Sequence, residues 1–543
     1  MPFLVSNTTN KNFLFVVLIV LCSAALLGRL FLGMDSDYLY RYSPYDDNLY
    51  LYGAEHLYKY GTLGDYLYHP LLKLPGFSVL IVFLKNLGLP YILTLNFLYF
   101  ISVCYLGYVA YKLTQNYWVL ICGVLVALVN PIAISSDWFF VMREPISCIA
   151  DILILASSLF LAKNGLNRKS FPHLIVLGLV FLATQFLREE DMLRWAYLLV
   201  FGLLILWQNK FQRRFVVVII SFLSVLFLLY QLTDFSYRTF VNKTYGLPIK
   251  HEISEGELPK LLSNLRSISV GKENRMATIK WDALSKLSLS VPEFKQIYDH
   301  LPIPSANSLS CNRLGVCKEW SYGYLVFWIL SATTDSGVAT NLVQAQKFYH
   351  VLNDKIKEKC SRREIICKTE NERLIPSFEI KWTRAFFEEA RKNLTSVLFP
   401  FLTGYDSSVV NAIPTVALSS YESTLGVSKN KWVVENYGLT LSRIRISIVP
   451  ILRLLIAPLL IFCIFLLLLK PALFPGFCIT PIYVVAISYF LYSLLRLIVL
   501  AYLAIYMGGY EDRMFFSTYV GLLSLSAYVI YDWFVSKRNY DVY

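Results

Sequence analysis

An all-α polytopic membrane protein, with about ten transmembrane helices and a mainly helical extracytoplasmic domain, is the fold class this sequence predicts. Composition is the first reason. The 543 residues are 56% hydrophobic and only 16% charged, against roughly 25% charged in soluble domains, and the mean hydropathy is +0.52. The second reason is run length: many apolar runs reach the ~20 residues needed to cross a hydrocarbon core. The third is that basic and acidic connections alternate along the chain. A net charge of +13 then belongs to residues that orient helices. No nucleic-acid motif accompanies it, so the expected partner is the lipid bilayer and not nucleic acid.

Asn-, Pro- and Gly-containing breaks place the ten spans near 12–33, 90–112, 117–135, 145–163, 172–187, 192–208, 214–232, 444–469, 479–507 and 513–535. The first run lacks a small-residue cleavage site and reads as a retained helix. Short connections holding Lys11, Lys112, Lys163, Arg168, Lys169, Lys210, Arg213, Arg214, Lys470, Lys537 and Arg538 should be cytoplasmic, with both termini on that side. Residues 34–89, 136–144, 188–191, 233–443 and 508–512 should face outward. The apolar stretch Pro75–Leu89 is short and interrupted by Lys85. A span there would move two basic loops outside, so it reads as a helix lying at the outer interface.

This divides the chain into an N-terminal membrane module (1–232, with the first outer loop 34–89), an outer domain (233–443) and C-terminal membrane helices (444–543). In the outer domain Leu342, Ala345, Phe348, Tyr349, Leu352 and Ile356 recur at helical spacing up to Cys360. Cys311, Cys317, Cys360 and Cys367 are confined to this domain. A zinc site would use closer pairs, and an oxidising compartment favours two disulfides with the connectivity left open. Asn242 and Asn393 begin N-x-T glycosylation patterns. The other six cysteines fall in or beside apolar spans, where a thiol packs as a small hydrophobe.

Polar residues gather at three outer connections. In "YDDNLYLYGAEHLYKYG" the adjacent Asp46 and Asp47 precede an amphipathic helix with Tyr50, Ala54 and Leu57 on one face. A helix dipole or cap explains one acid but not its neighbour. "DWFFVMREPIS" supplies Asp137, Arg143 and Glu144, and "FLREEDMLRW" supplies Arg188, Glu189, Glu190 and Asp191. These serve either as interfacial anchors and salt bridges or as a ring of charges around one cavity. Arg496 lies inside the ninth span, where an ionised side chain faces a cavity or a partner. Arg513 opens the last span. Arg29, near the outer end of the first helix, reads mainly as snorkelling to headgroups. Asp35-x-Asp37 has the spacing of a metal-binding pair, but the soluble nucleotide-binding fold that normally uses it is missing.

Asp46-Asp47 followed by Tyr50 and Ala54 resembles the "DE-x-x-Y-x-x-x-A" pattern of the GT-C fold membrane glycosyltransferases, in the protein O-mannosyltransferase and lipid A aminoarabinose transferase branch. "YHPLLKLPGF", with His69, Lys73, Pro75 and Gly76, resembles the element that closes the same loop, and "GGYEDRMFF" resembles an element before the last helices. Asp47 stands where that family has Glu, and Leu74-Pro75-Gly76 stands for its double proline.

The resemblance implies a GT-C-like arrangement and an inverting transfer of a sugar from a polyprenyl-phosphate donor to a glycan, lipid or protein acceptor. It implies a bacterial inner membrane and a site on its outer face. Asp46 is then the general base, Asp47 its assistant, and Lys73, Arg513 and Arg496 hold the donor phosphate. His69, Arg143, Glu144, Arg188 and Glu189 complete the donor-binding set. No soluble cofactor is implied; the acids leave room for a divalent metal, but no ligand spacing specifies one. A lipid-linked sugar flippase, or an O-antigen ligase-like or polymerase-like enzyme, are the rival readings.

Overall fold

Long apolar runs of good helix formers fold as helices because a backbone in lipid must satisfy its own polar groups. A computed structural model of the protein describes residues 8–32, 47–135, 138, 141–165, 167–270, 274–305, 311, 316–368, 378–398, 424–425, 439–473, 480–507 and 512–542. Among these residues the structure is helical, and its one β feature is an isolated bridge between Ile268 and Cys367.

A helix lies at each of the ten expected span positions. These are α1 (Thr8–Leu32), α4 (Tyr91–Thr114), α5 (Tyr117–Leu128), α7 (Glu144–Asn164), α8 (Phe171–Thr184), α9 (Arg194–Gln208), α10 (Arg213–Tyr245), α17 (Leu439–Leu473), α18 (Pro481–Met507) and α19 (Phe516–Val542). Six of them, α4, α7, α10, α17, α18 and α19, are long and apolar enough to cross a membrane. The count by length and composition is therefore six among the described residues. α5, α8 and α9 have 12, 14 and 15 residues, or roughly 18–22 Å at 1.5 Å per residue, against a core of ~30 Å. The third expected span is broken because Asn130 caps a new short helix, α6 (Pro131–Ile134), accepting from the Ile132 amide at 3.0 Å. Pro131 has no N–H with which to continue the preceding helix.

α7 is the hub. It packs against α4, α8, α18 and α19, and its side chains are buried over most of its length. α10 and α17 instead leave many large apolar side chains exposed, among them Phe227, Leu228, Leu454 and Leu455, as lipid-facing helices do.

The first outer loop contains α2 (Asp47–Tyr60), two 3₁₀ turns at Tyr66–Tyr68 and Pro70–Leu72, and α3 (Gly76–Asn86). With 11 residues, α3 spans only about 16 Å, well short of a ~30 Å hydrocarbon core. Gly76 is required where it stands: its amide donates to the Phe186 carbonyl at 2.9 Å, and a Cβ there would lie 2.4 Å from that oxygen. Gly64 (φ +119) lies under the Tyr52 ring, which leaves no room for a Cβ.

α10 has 33 residues, about 50 Å of helix. It extends beyond the expected span end at 232, so that Tyr237 and Val241 enter the core of the outer domain. That core is built from α11 (Leu258–Ser267), α12 (Trp281–Ser290), α13 (Pro292–Tyr298), α14 (Tyr322–Asp335) and α15 (Leu342–Ser361). It also takes in Leu49, Leu63, Tyr66, Leu71 and Leu72 from the first outer loop. On α15, Leu342, Ala345, Tyr349, Leu352 and Ile356 are buried as their spacing implies. Of the three connectivities, the structure holds the local one, Cys311–Cys317 and Cys360–Cys367.

One part of 233–443 lies elsewhere. α16 (Thr383–Leu398) packs on α18, not on the outer-domain core. The Asn393 amide is buried and donates to the Leu497 carbonyl at 3.5 Å, so this glycosylation pattern is closed to a glycan in the folded chain.

Candidate functional site

Two helices present polar residues at one face toward each other. On α7, Glu144, Ser147 and Asp151 are three and four residues apart, and on α18 Tyr489, Tyr492 and Arg496 have the same spacing, so each set shares a face. Tyr489 donates to Asp151 Oδ2 at 2.8 Å and to the Ser517 carbonyl of α19 at 2.9 Å. Arg496, 0% exposed, donates to the Met514 carbonyl at 2.8 Å, to the Tyr492 hydroxyl at 3.5 Å and to the Ser517 hydroxyl.

The connection before α9 delivers the remaining charges. Arg188 lies between Glu144, at 3.7 Å, and Glu190. Arg194 bridges Asp151, at 2.8 Å, and Asp191, at 2.6 Å. Arg143 donates to the Leu187 carbonyl at 3.0 Å and meets Glu189 at 3.5 Å. Four arginines thus face five carboxylates in one network at the Glu144 end of α7, the start of α9 and the middle of α18, with Glu189 and Glu190 half-buried at its edge. Burial pushes the Glu190 carboxyl up, but Arg188, Arg143 and Arg496 together hold it down to about 2. Burial acts the same way on Glu189, where Arg143, His251 and Lys73 outweigh it and leave the carboxyl below its ordinary value.

The first outer loop meets this network. Asp47, 0% exposed, opens α2, and one of its oxygens accepts from the Asn48 amide at 2.9 Å. The Arg143 guanidinium lies 5.8 Å from the centre of the Tyr50 ring. Ser78 of α3 donates to the Tyr50 carbonyl at 3.0 Å, and Phe77 meets Tyr50 edge-on at 5.1 Å. Lys73 lines a small cleft with Tyr50, Gly53, Pro75 and Ser78. The structure therefore brings Lys73, Arg143, Glu144, Arg188, Glu189 and Arg496 into one neighbourhood, and Asp47 lies one helical turn before Tyr50, which borders it.

His69 is placed differently. It takes a left-handed backbone (φ 53°) between the two 3₁₀ turns, and its Nε2 lies 3.4 Å from the Thr334 hydroxyl of the outer domain. Burial drives its imidazole down to about 4. Arg29 is buried too: it donates to Asn96 Oδ1 at 3.0 Å, and its guanidinium lies over Tyr99 at 4.3 Å. This is an aromatic cage, not the headgroup position expected of it. Asp35, Asp37, Asp46 and Asp137 lie outside the described residues, as does the side chain of Arg513. Among the described residues no group of three or more His, Cys, Asp and Glu could hold a metal ion.

Sequence reasoning missed Asp151, Arg194, His251 and Glu252. Asp151 had a signal, since an acid inside an apolar run faces a partner. His251 and Glu252 had none. His251 Nε2 lies 2.9 Å from the Leu72 carbonyl and 3.4 Å from Glu189, which ties the outer domain to both outer connections.

Fold and site together define a multi-pass helical membrane protein with a cluster of arginines and carboxylates where the connections 141–144 and 185–193 meet α18. Comparison of the chain with protein-family models, with curated proteins and with solved structures gives no significant match.

Proposed function

We propose that the protein is an inverting membrane glycosyltransferase of GT-C type, which takes a sugar from a polyprenyl-phosphate donor to an acceptor on the extracytoplasmic side. In this reading all ten helices cross a bacterial inner membrane, both termini are cytoplasmic, and the first outer loop is the catalytic loop. The observation that carries it is the approach of Tyr50 and Lys73, on the loop that also bears Asp47, to the Arg143–Glu189 end of the charged network. An acid-bearing loop beside fixed cations suits a reaction that removes a proton and leaves a phosphate.

Asp46 takes the proton of the acceptor hydroxyl or amine as its heteroatom attacks the sugar C1 from the face opposite the phosphate. The C1–O bond to phosphate breaks, and the lipid phosphate leaves carrying the electron pair. Lys73 and Arg513 offset its charge. Arg143, Arg188 and Glu144 hold the platform on which the loop rests.

Transfer by the purified protein, beside binding of a polyprenyl-phosphate analogue, tests the reading. Asp46→Asn should lower transfer by a factor on the order of 10² to 10⁴ with analogue binding kept. Near-wild-type transfer by both Asp46→Asn and Asp47→Asn would overturn the mechanism. Movement of a lipid-linked sugar across a bilayer without transfer would establish the flippase instead.

A further inference from the structure

α16 carries two kinds of side chain on its outward half. Phe387 and Leu394, seven residues apart on one helical edge, are 64% and 47% exposed. Arg384, Glu388, Arg391 and Lys392 are exposed beside them. The inward half is fastened: Glu389 and Asn393 are buried, Lys392 holds Glu389 at 2.9 Å, and Val397 belongs to the membrane-module core.

The depth of the helix is set by α18. Asn393 meets the Leu497 carbonyl, ten residues before the end of α18 at Met507, or about 15 Å along its axis. Just before α16, Phe378 packs 6.3 Å from Tyr502. α16 thus descends along the outer half of a helix that is long and apolar enough to span the membrane. Leu491, Leu494 and Ile498 of α18, all within six residues of Leu497, are themselves exposed apolar side chains.

We propose that α16 lies in the outer leaflet and contacts lipid directly, with Phe387 and Leu394 in the acyl boundary and Arg384 and Arg391 at the level of the phosphates. An apolar edge bordered by cations is the pattern of an interfacial helix, and long basic side chains reach the headgroups from below their level. α16 is seated on α18 and also touches α17, α19 and the 3₁₀ turn Asp512–Phe515; none of these contacts requires that the chain transfer sugars.

An environment-sensitive fluorescent amino acid at position 387, and separately at 394, reports the depth in vesicles of phosphatidylcholine and phosphatidylglycerol. Lys295, exposed on the outer domain, is the aqueous control position. The expected result is blue-shifted emission at 387 and 394, quenched by lipids with a nitroxide near the headgroup and spared by aqueous iodide, with the reverse at 295. Iodide quenching at both 387 and 394 would overturn the proposal. Shielding of both positions from both quenchers would overturn it too, by placing a protein surface there instead of lipid.

Discussion

Glu190, half-buried, and Glu252, fully buried, are glutamates on two connections of the chain, and their carboxyls shift in opposite directions. Glu190 touches Arg188, with Arg143 and Arg496 close behind, and its carboxyl is held down to about 2. Glu252, 0% exposed, accepts a hydrogen bond from the Tyr66 hydroxyl at 2.5 Å. Burial carries its carboxyl up to about 7, even though Tyr66 and Gln346 pull the other way. Tyr349 also lies close enough to feel it. Burial penalises both anions, and a cation in contact reverses the outcome. The cluster around Arg188 therefore favours the ionised carboxyl, while the joint between the first outer loop and the outer domain favours the protonated one more than water does.

The largest test of this contrast removes the central cation. Arg188→Met leaves Glu144 and Glu190 buried without it, and breaking such a pair costs about 3–5 kcal/mol. The thermal midpoint in detergent should drop sharply; an unchanged midpoint would show that the network does not depend on Arg188.

The two glutamates should give pH effects of opposite sign. Glu252 is raised, so between its unfolded value of 4.5 and about 7 the native state binds the extra proton. Its contribution is full at and below the lower pH and is lost as pH rises through that window, about 3 kcal/mol in all. Glu190 is depressed, so its contribution is present above 4.5 and is lost as pH falls toward about 2. Thermal midpoints measured across both windows should show Glu252→Gln flattening the upper one alone and Glu190→Gln flattening the lower one alone.

The smallest expected effect belongs to Tyr66→Phe. It deletes one hydrogen bond to a carboxylate, worth about 1.5–3 kcal/mol when that group is charged. Because the bond lowers the Glu252 pKa, its loss should shift the upper pH window to higher values. A window that moves down, or stays in place, would mean that Tyr66 does not set the protonation of Glu252.

Much of this could be read from the chain and some could not. The spacing of Tyr50, Ala54 and Leu57 was enough to place α2 and its buried face, and the run from Leu342 to Ile356 was enough for α15, because helical periodicity is a local property. The shortness of α5 was only half visible: Asn130-Pro131 marks the break, but the apolar run continues past it. The charges of "REEDMLR" were plain, yet which arginine meets which acid depends on α7 and α18, hundreds of residues apart. Asp151 and Arg194 pair across 43 positions, and no local pattern announces that.

Composition and hydropathy by themselves determined that the chain is helical and lives in a bilayer, since apolar run length and the demand for internal hydrogen bonds leave few alternatives. They also confined the four outer cysteines to one segment. The tertiary structure alone decided that α16, inside that same segment, packs on a membrane helix, because an amphipathic sequence states that it has an apolar face but not what covers it. Long-range packing likewise moved the Glu190 carboxyl down and the Glu252 carboxyl up, since the charge of a desolvated carboxyl depends on which cations the fold brings within reach.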